Sequence, residues 1–131
     1  RACRRVIEAF AYHVDHREFD RAVALFTPEA VFERPDLKAC GREQIAAIFA
    51  GRPESVITRH LCGEPFFVEL GADRARAVTQ VTLYHAQRAE APVPTVKGPN
   101  AIAEFHDTLE RTAEGWKIAH RKGVPVLMVA P

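Results

Sequence analysis

A chain of 131 residues, 47% of them hydrophobic, can close one core, and a single domain over residues 1–131 is expected. Its 18 basic residues nearly balance 17 acidic ones, for a net charge of +1, and this supports neither a nucleic-acid surface nor an anionic-membrane patch. No apolar run reaches transmembrane length, and the cysteines Cys3, Cys40 and Cys62 are odd in number and lack metal-ligand spacing, so reduced thiols in a cytoplasmic protein fit best.

Residues 3–16 read as the first helix. On a period of about 3.6 residues, Val6, Ile7, Phe10, Ala11 and Val14 share one stripe, and Arg4 and Arg5 lie off it. Asp15 prolongs the Ile7–Ala11 row at the edge of that stripe, with Tyr12 three residues earlier and within reach. A carboxylate aimed at a core needs a partner, or its pKa rises. Asp15 therefore has two readings: a cap for the next helix with Glu18 as reciprocal partner, or a member of a site.

Residues 18–26 read as a short second helix stopped by Thr27-Pro28, and Ala30 to Arg34 as a strand that ends at Pro35. A third helix runs from Arg42 to Ala50, with Ile45, Ile48 and Phe49 on its face, until Gly51-Arg-Pro53 ends it. From Ser55 the period falls to about 2 residues. Val56 to Leu61 and Phe66 to Leu70 are strands interrupted at Gly63-Glu-Pro65. Arg74 to Gln87 is a long strand, and its odd positions, from Ala75 to Val81, Leu83 and His85, form the inner face. Arg88 to Asn100 has no period and reads as a loop long enough to rim or cover a pocket. Ala101 to Arg111 is a strand with Ala103, Phe105, Asp107 and Leu109 inward. A turn at Thr112–Gly115 returns it as Trp116 to Arg121, and the apolar tail beyond Val124 docks on the sheet or on a partner. Helices first and an antiparallel sheet after them make an α+β fold. The sequence opens on Arg1 and its only methionine is Met128, so the natural N-terminus is expected upstream and a short leader stays open.

Among residues that can do chemistry, Asp107 is the clearest oddity, an acid in a buried row between Phe105 and Leu109. It needs a partner such as Arg121 or a histidine. His60 shares a strand face with Val56 and Thr58. His85 ends the apolar row of Val81 and Leu83. His13, His16, His106 and His120 read as surface residues. HExxH, CxxC, GxGxxG, P-loop and GxSxG patterns are absent, so metal, cofactor and acyl-serine chemistry have no support. What remains is a helix acid and strand histidines around an apolar pocket. Such a set can remove a proton beside a carbonyl and protonate a leaving oxygen, as in dehydration, double-bond isomerisation or aldol-type ring closure.

The ordered pieces YHVDHREFDRAVALFTPEAVFE, GREQIAAIF, TRHL and GWKIAHR resemble the SnoaL-like branch of the NTF2-like superfamily across nearly the whole chain. The resemblance implies a cone-shaped α+β barrel, its curved sheet wrapping a long first helix around a deep pocket, and homodimers formed through the outer sheet face. Dehydratases of that branch use a helix aspartate, sheet histidines and tyrosine. Asp15, His60, His85 and Tyr12 match these as catalytic candidates, with Phe10 as the other position for the tyrosine. Asp107, Arg121, Phe10 and Phe105 are the candidates for holding the substrate. The function so implied is a cofactor-independent lyase or isomerase acting on a hydrophobic, oxygenated cyclic molecule. The rival readings are a non-catalytic small-ligand-binding domain and the small subunit of a ring-hydroxylating dioxygenase.

Overall fold

Apolar residues at helical spacing form the helices. In the computed structural model, which describes residues 1–89 and 92–130, α1 (Ala2–Asp15) buries Cys3, Ile7, Phe10, Ala11 and Val14 along one side. α2 (Phe19–Val23) is shorter than its pattern predicts, because Phe26 belongs to the first strand, β1 (Phe26–Arg34). Pro28 lies inside that strand rather than ending a helix before it. The pairing of β1 with β7 (Gly115–Met128) is irregular between Phe26 and Val31, so the missing proline N–H falls where the ladder is already open. The chain turns at Pro35 as expected, but returns as β2 (Leu37–Cys40), a strand too short to show in the sequence. α3 (Arg42–Ala50) follows and buries Ile45 and Phe49.

β3 (Val56–Cys62) and β4 (Phe66–Leu70) pair in tandem along one edge of β5 (Arg74–Gln87), with β6 (Ala101–Thr112) on its other edge. The strand order is β2-β1-β7-β6-β5-β3, with β4 beside β5. Among these pairs only β1 and β7 run parallel. This is the expected α+β architecture, with helices packed against a curved sheet. The sheet stays unclosed, ending at β2 and β3. The apolar tail continues β7 to Met128, opposite Ala101. Among the described residues no helix is long and apolar enough to cross a membrane.

One irregularity decides what faces inward from β7. Leu109 pairs with Ile118, but its neighbour Thr108 pairs with His120, so Ala119 is an extra, bulged residue. Ile118 and Arg121 are therefore both fully buried although they are three residues apart. Simple alternation would have put them on opposite faces.

Candidate active site

The end of α1 fixes the position of the acid. The N–H of Arg17 bonds to the Val14 carbonyl at 3.1 Å and that of Glu18 to the His13 carbonyl at 2.8 Å, the paired pattern of a Schellman terminus. Arg17 occupies the left-handed position there, with φ 59°, where glycine is usual. The hydrophobic contact that commonly closes this motif is replaced by a hydrogen bond, His13 Nδ1 to Glu18 Oε1 at 3.0 Å. Asp15 caps no helix: α2 has no side-chain cap, and Glu18 is engaged with His13. The capping reading of Asp15 is thereby set aside.

Asp15 turns toward β3, where Val56, Thr58, His60 and Cys62 alternate inward. Its Oδ1 accepts hydrogen bonds from His60 Nδ1 at 2.6 Å and from the Thr58 hydroxyl at 2.9 Å, and its Oδ2 accepts the His60 backbone N–H at 2.7 Å. The side chains of Asp15 and His60 are 5% and 13% exposed. Burial pushes the Asp15 carboxyl up. The hydrogen bond from the His60 ring, the His60 backbone N–H, the His60 charge and Thr58 together outweigh it, and the group sits below the usual carboxylate range. The carboxylate fixes which imidazole nitrogen it holds, so Nε2 points away from Asp15.

Beside this pair lies a cavity of about 410 Å³. Its walls are Phe10 and Val14 of α1, Phe49 of α3, Phe32 of β1, Val81 and Leu83 of β5, Ala103 and Phe105 of β6 and Pro125 of β7, and His60 takes part in the lining. The His60 ring lies 6.4 Å from the Phe105 ring at 29°. Phe10 meets Phe105 edge to face at 6.1 Å. Asp15 itself does not line this cavity. Together with His60 it borders a smaller cleft on the other side, formed with Glu8, Tyr12, His16 and Cys62.

Behind the Phe10–Phe105 wall lies the partner that Asp107 required. Arg121 Nε and Nη2 donate to the two Asp107 oxygens at 2.7 and 2.8 Å, and both side chains are fully buried. The guanidinium carbon lies 4.5 Å from the Phe10 ring centroid and 4.1 Å from that of Phe105. Neither residue reaches the cavity lining, so the pair supports the aromatic wall from behind. Phe10 and Phe105 line the cavity.

The sequence profile of the SnoaL-like domain matches residues 1–122. The chain belongs to the SnoaL-like domain family. No curated protein sequence matches this SnoaL-like chain. Among solved structures it is similar to a protein of Novosphingobium aromaticivorans provisionally named a scytalone dehydratase, with TM-score 0.83 and 19% identity over 98% of this chain and 84% of the other. A ketosteroid isomerase-like protein of Erwinia carotovora atroseptica aligns with TM-score 0.71 and 19% identity over 93% and 92%. The β subunit of a provisionally named aromatic-ring-hydroxylating dioxygenase, also from Novosphingobium aromaticivorans, aligns with TM-score 0.78 and 13% identity over 98% and 90%. At these identities the likeness establishes the NTF2-like fold.

Within this SnoaL-like fold two of the expected catalytic residues stand apart from the cavity. His85 lies opposite Thr58 in the β3–β5 ladder, yet its side chain is exposed. Its backbone N–H donates to Asn100 Oδ1 at 2.8 Å. Tyr12 is 57% exposed and stacks on His16 at 4.1 Å, on the solvent side of α1. No described residue of the Arg88–Asn100 loop lines the cavity, and Glu90 and Ala91 of that loop lie outside the described residues. The rim is made instead by Arg34, Pro35 and Asp36 of the first hairpin and by the β7 tail at Met128.

Two members of the site escape a reading by motif. Thr58 alternates with His60, so its side of the strand was legible though its bond to Asp15 was not. Arg52 sits in the helix-stopping stretch Gly51-Arg-Pro53, where no periodicity says which way it points, and it lines the cavity. Among the described residues no cluster of three or more His, Cys, Asp or Glu side chains is placed to hold a metal ion.

Proposed function

We propose that this SnoaL-like chain is a cofactor-independent acid–base lyase or isomerase, dehydratase- or cyclase-like, acting on a hydrophobic, oxygenated cyclic molecule. The observation that carries this reading is the Asp15–His60 pair, an imidazole held through one nitrogen by a buried carboxylate and bordering an apolar cavity. His60 Nε2 takes a proton from the carbon beside a carbonyl, and Asp15 orients the ring and balances the imidazolium charge. The protonated ring then returns that proton, either to a leaving hydroxyl or to another carbon of the enolate. His85 and Tyr12 take no part. With His60 serving as both base and acid, the proton must leave and re-enter on one face of the substrate. A dehydration is then a syn elimination and an isomerisation is suprafacial. Asp107 and Arg121 act through Phe10 and Phe105 as positioning residues. The active form is a homodimer joined through the outer sheet face, and the unpaired cysteines fit a reducing cytoplasm.

The test is turnover of cyclic β-hydroxy ketones and of unconjugated enones. Asp15→Asn and His60→Gln should each lower kcat/KM by about 10²–10⁴-fold. Rates within a few-fold of wild type would refute the assignment, and a ligand that binds wild type and Asp15→Asn equally without turning over would favour a pure binding domain.

A further inference from the structure

The cavity wall carries a cation that the proposed chemistry does not use. Arg52 is half-buried in the lining, and its guanidinium carbon lies 5.7 Å from the Phe49 ring centroid and 5.8 Å from that of Phe19. A guanidinium offers its N–H donors along its planar edge, a fork suited to a carboxylate. Along that edge it makes one long hydrogen bond, to the Thr58 hydroxyl at 3.4 Å. Among the described residues no carboxylate forms an ion pair with Arg52. Asp36, an acid of the cavity lining, is taken by Arg34 at 3.4 Å.

The arginine is held in this state from behind. The Arg17 side chain donates to the carbonyls of Arg52, Pro53 and Val56 at 3.2, 3.2 and 3.3 Å and stacks on Phe19 at 5.1 Å. It thereby pins the turn that carries Arg52. Burial, with the charges of Arg17 and Arg34, lowers the Arg52 pKa, and Asp15 partly offsets this. A guanidinium that is half-buried, crowded by like charge and short of acceptors gains most from an anion arriving in its plane.

We propose that Arg52 is a carboxylate-binding residue of the cavity, so that the substrate class is a ring-bearing organic acid with its carboxylate on Arg52 and its ring against Phe10 and Phe105. The proposal rests on reading the cavity as the substrate site. Through Thr58, Arg52 is also linked to the Asp15–His60 pair, and an acid seated there would present its ring to His60.

The experiment compares two probes of one shape, naphthalene carboxylate and naphthyl methyl ketone, by isothermal titration calorimetry. Wild type should bind the carboxylate at least about tenfold more tightly, a preference that shrinks as salt rises. Arg52→Met should abolish the preference and leave the ketone's affinity unchanged. Arg52→Lys, which keeps the charge and loses the fork, should retain a part of it, and Arg34→Met should retain it all. Equal binding of the two probes by wild type would overturn the proposal while leaving the catalytic reading untouched, since the readout is affinity and not turnover. A preference that survives in Arg52→Met would overturn it too. If neither probe binds, both the proposal and the cavity reading fall. The wild-type comparison and its salt dependence stand even if Arg52→Met fails to fold.

Discussion

Asp15 is a buried carboxylate that stays charged because it accepts three hydrogen bonds, two of them from His60. Its pKa lies below the ordinary value of 3.8. The stability it contributes is therefore fully present above that value and is lost as pH falls through the lower, folded-state pKa. Asp15→Asn replaces an acceptor by an amide whose N–H₂ group opposes the N–H and O–H donors of His60 and Thr58. In urea unfolding near neutral pH it should cost about 1–3 kcal/mol, and the gap to wild type should narrow only below the ordinary carboxylate range. A gap that is constant down to acid unfolding would show that Asp15 is not held as described. The second buried pair is more exacting. Arg121→Met leaves Asp107 charged and alone in the core and should cost about 3–5 kcal/mol, whereas Arg121→Met with Asp107→Leu should recover much of that. If the single and double variants are equally unstable, the penalty comes from lost packing on Phe10 and Phe105 and not from the stranded charge.

At the scale of elements, what was legible followed periodicity and what was not followed local backbone departures from it. The stripe of α1, the long β5 and β6, the break at Gly63-Glu-Pro65 and the need of Asp107 for a partner such as Arg121 could all be read from spacing. Pro28 misled because a proline inside a strand is tolerated where the ladder is interrupted. The bulge at Ala119 hid which side Arg121 faces, since one extra residue reverses every later side chain. His85 misled because an alternating row does not reveal how far along the strand burial extends. The terminus of α1 is a further case, with a charged residue at a position that favours glycine. Both Arg17→Ala and Arg17→Gly remove the clamp on the Arg52–Val56 turn, but only alanine carries a Cβ in the left-handed region. Arg17→Gly should therefore be the more stable of the two by about 1 kcal/mol in thermal or urea unfolding. Equal stabilities would mean that the terminus relaxes out of the Schellman geometry once the arginine is gone.

For the whole molecule, the sheet must satisfy two environments at once. Its concave side is consumed by the helices, the cavity and the buried Arg121–Asp107 pair. Its convex side carries Leu61 at 56%, Phe66 at 71% and Val68 at 52% exposure, on neighbouring strands β3 and β4. Across the sheet from them stand polar residues already paired among themselves, Arg76 with Glu69 at 3.9 Å, His106 with Glu104 at 2.9 Å and His120 with Glu33 at 2.6 Å. An apolar patch flanked by satisfied polar pairs has the form of a protein interface. A second copy of the same face is its simplest complement, because a twofold axis sets each patch against itself. Analytical ultracentrifugation at micromolar concentration should find a dimer. Phe66→Glu should give a folded monomer, since each protomer would bring a carboxylate to the apolar centre and face its twin across the axis. A monomeric wild type, or a Phe66→Glu protein that remains dimeric, would exclude this face as the interface. The cavity opens at the other side of the sheet, so the monomeric variant should keep the carboxylate affinity of wild type. Losing both together would mean that the partner shapes the cavity mouth, and that the sheet's two faces are coupled through the strands they share.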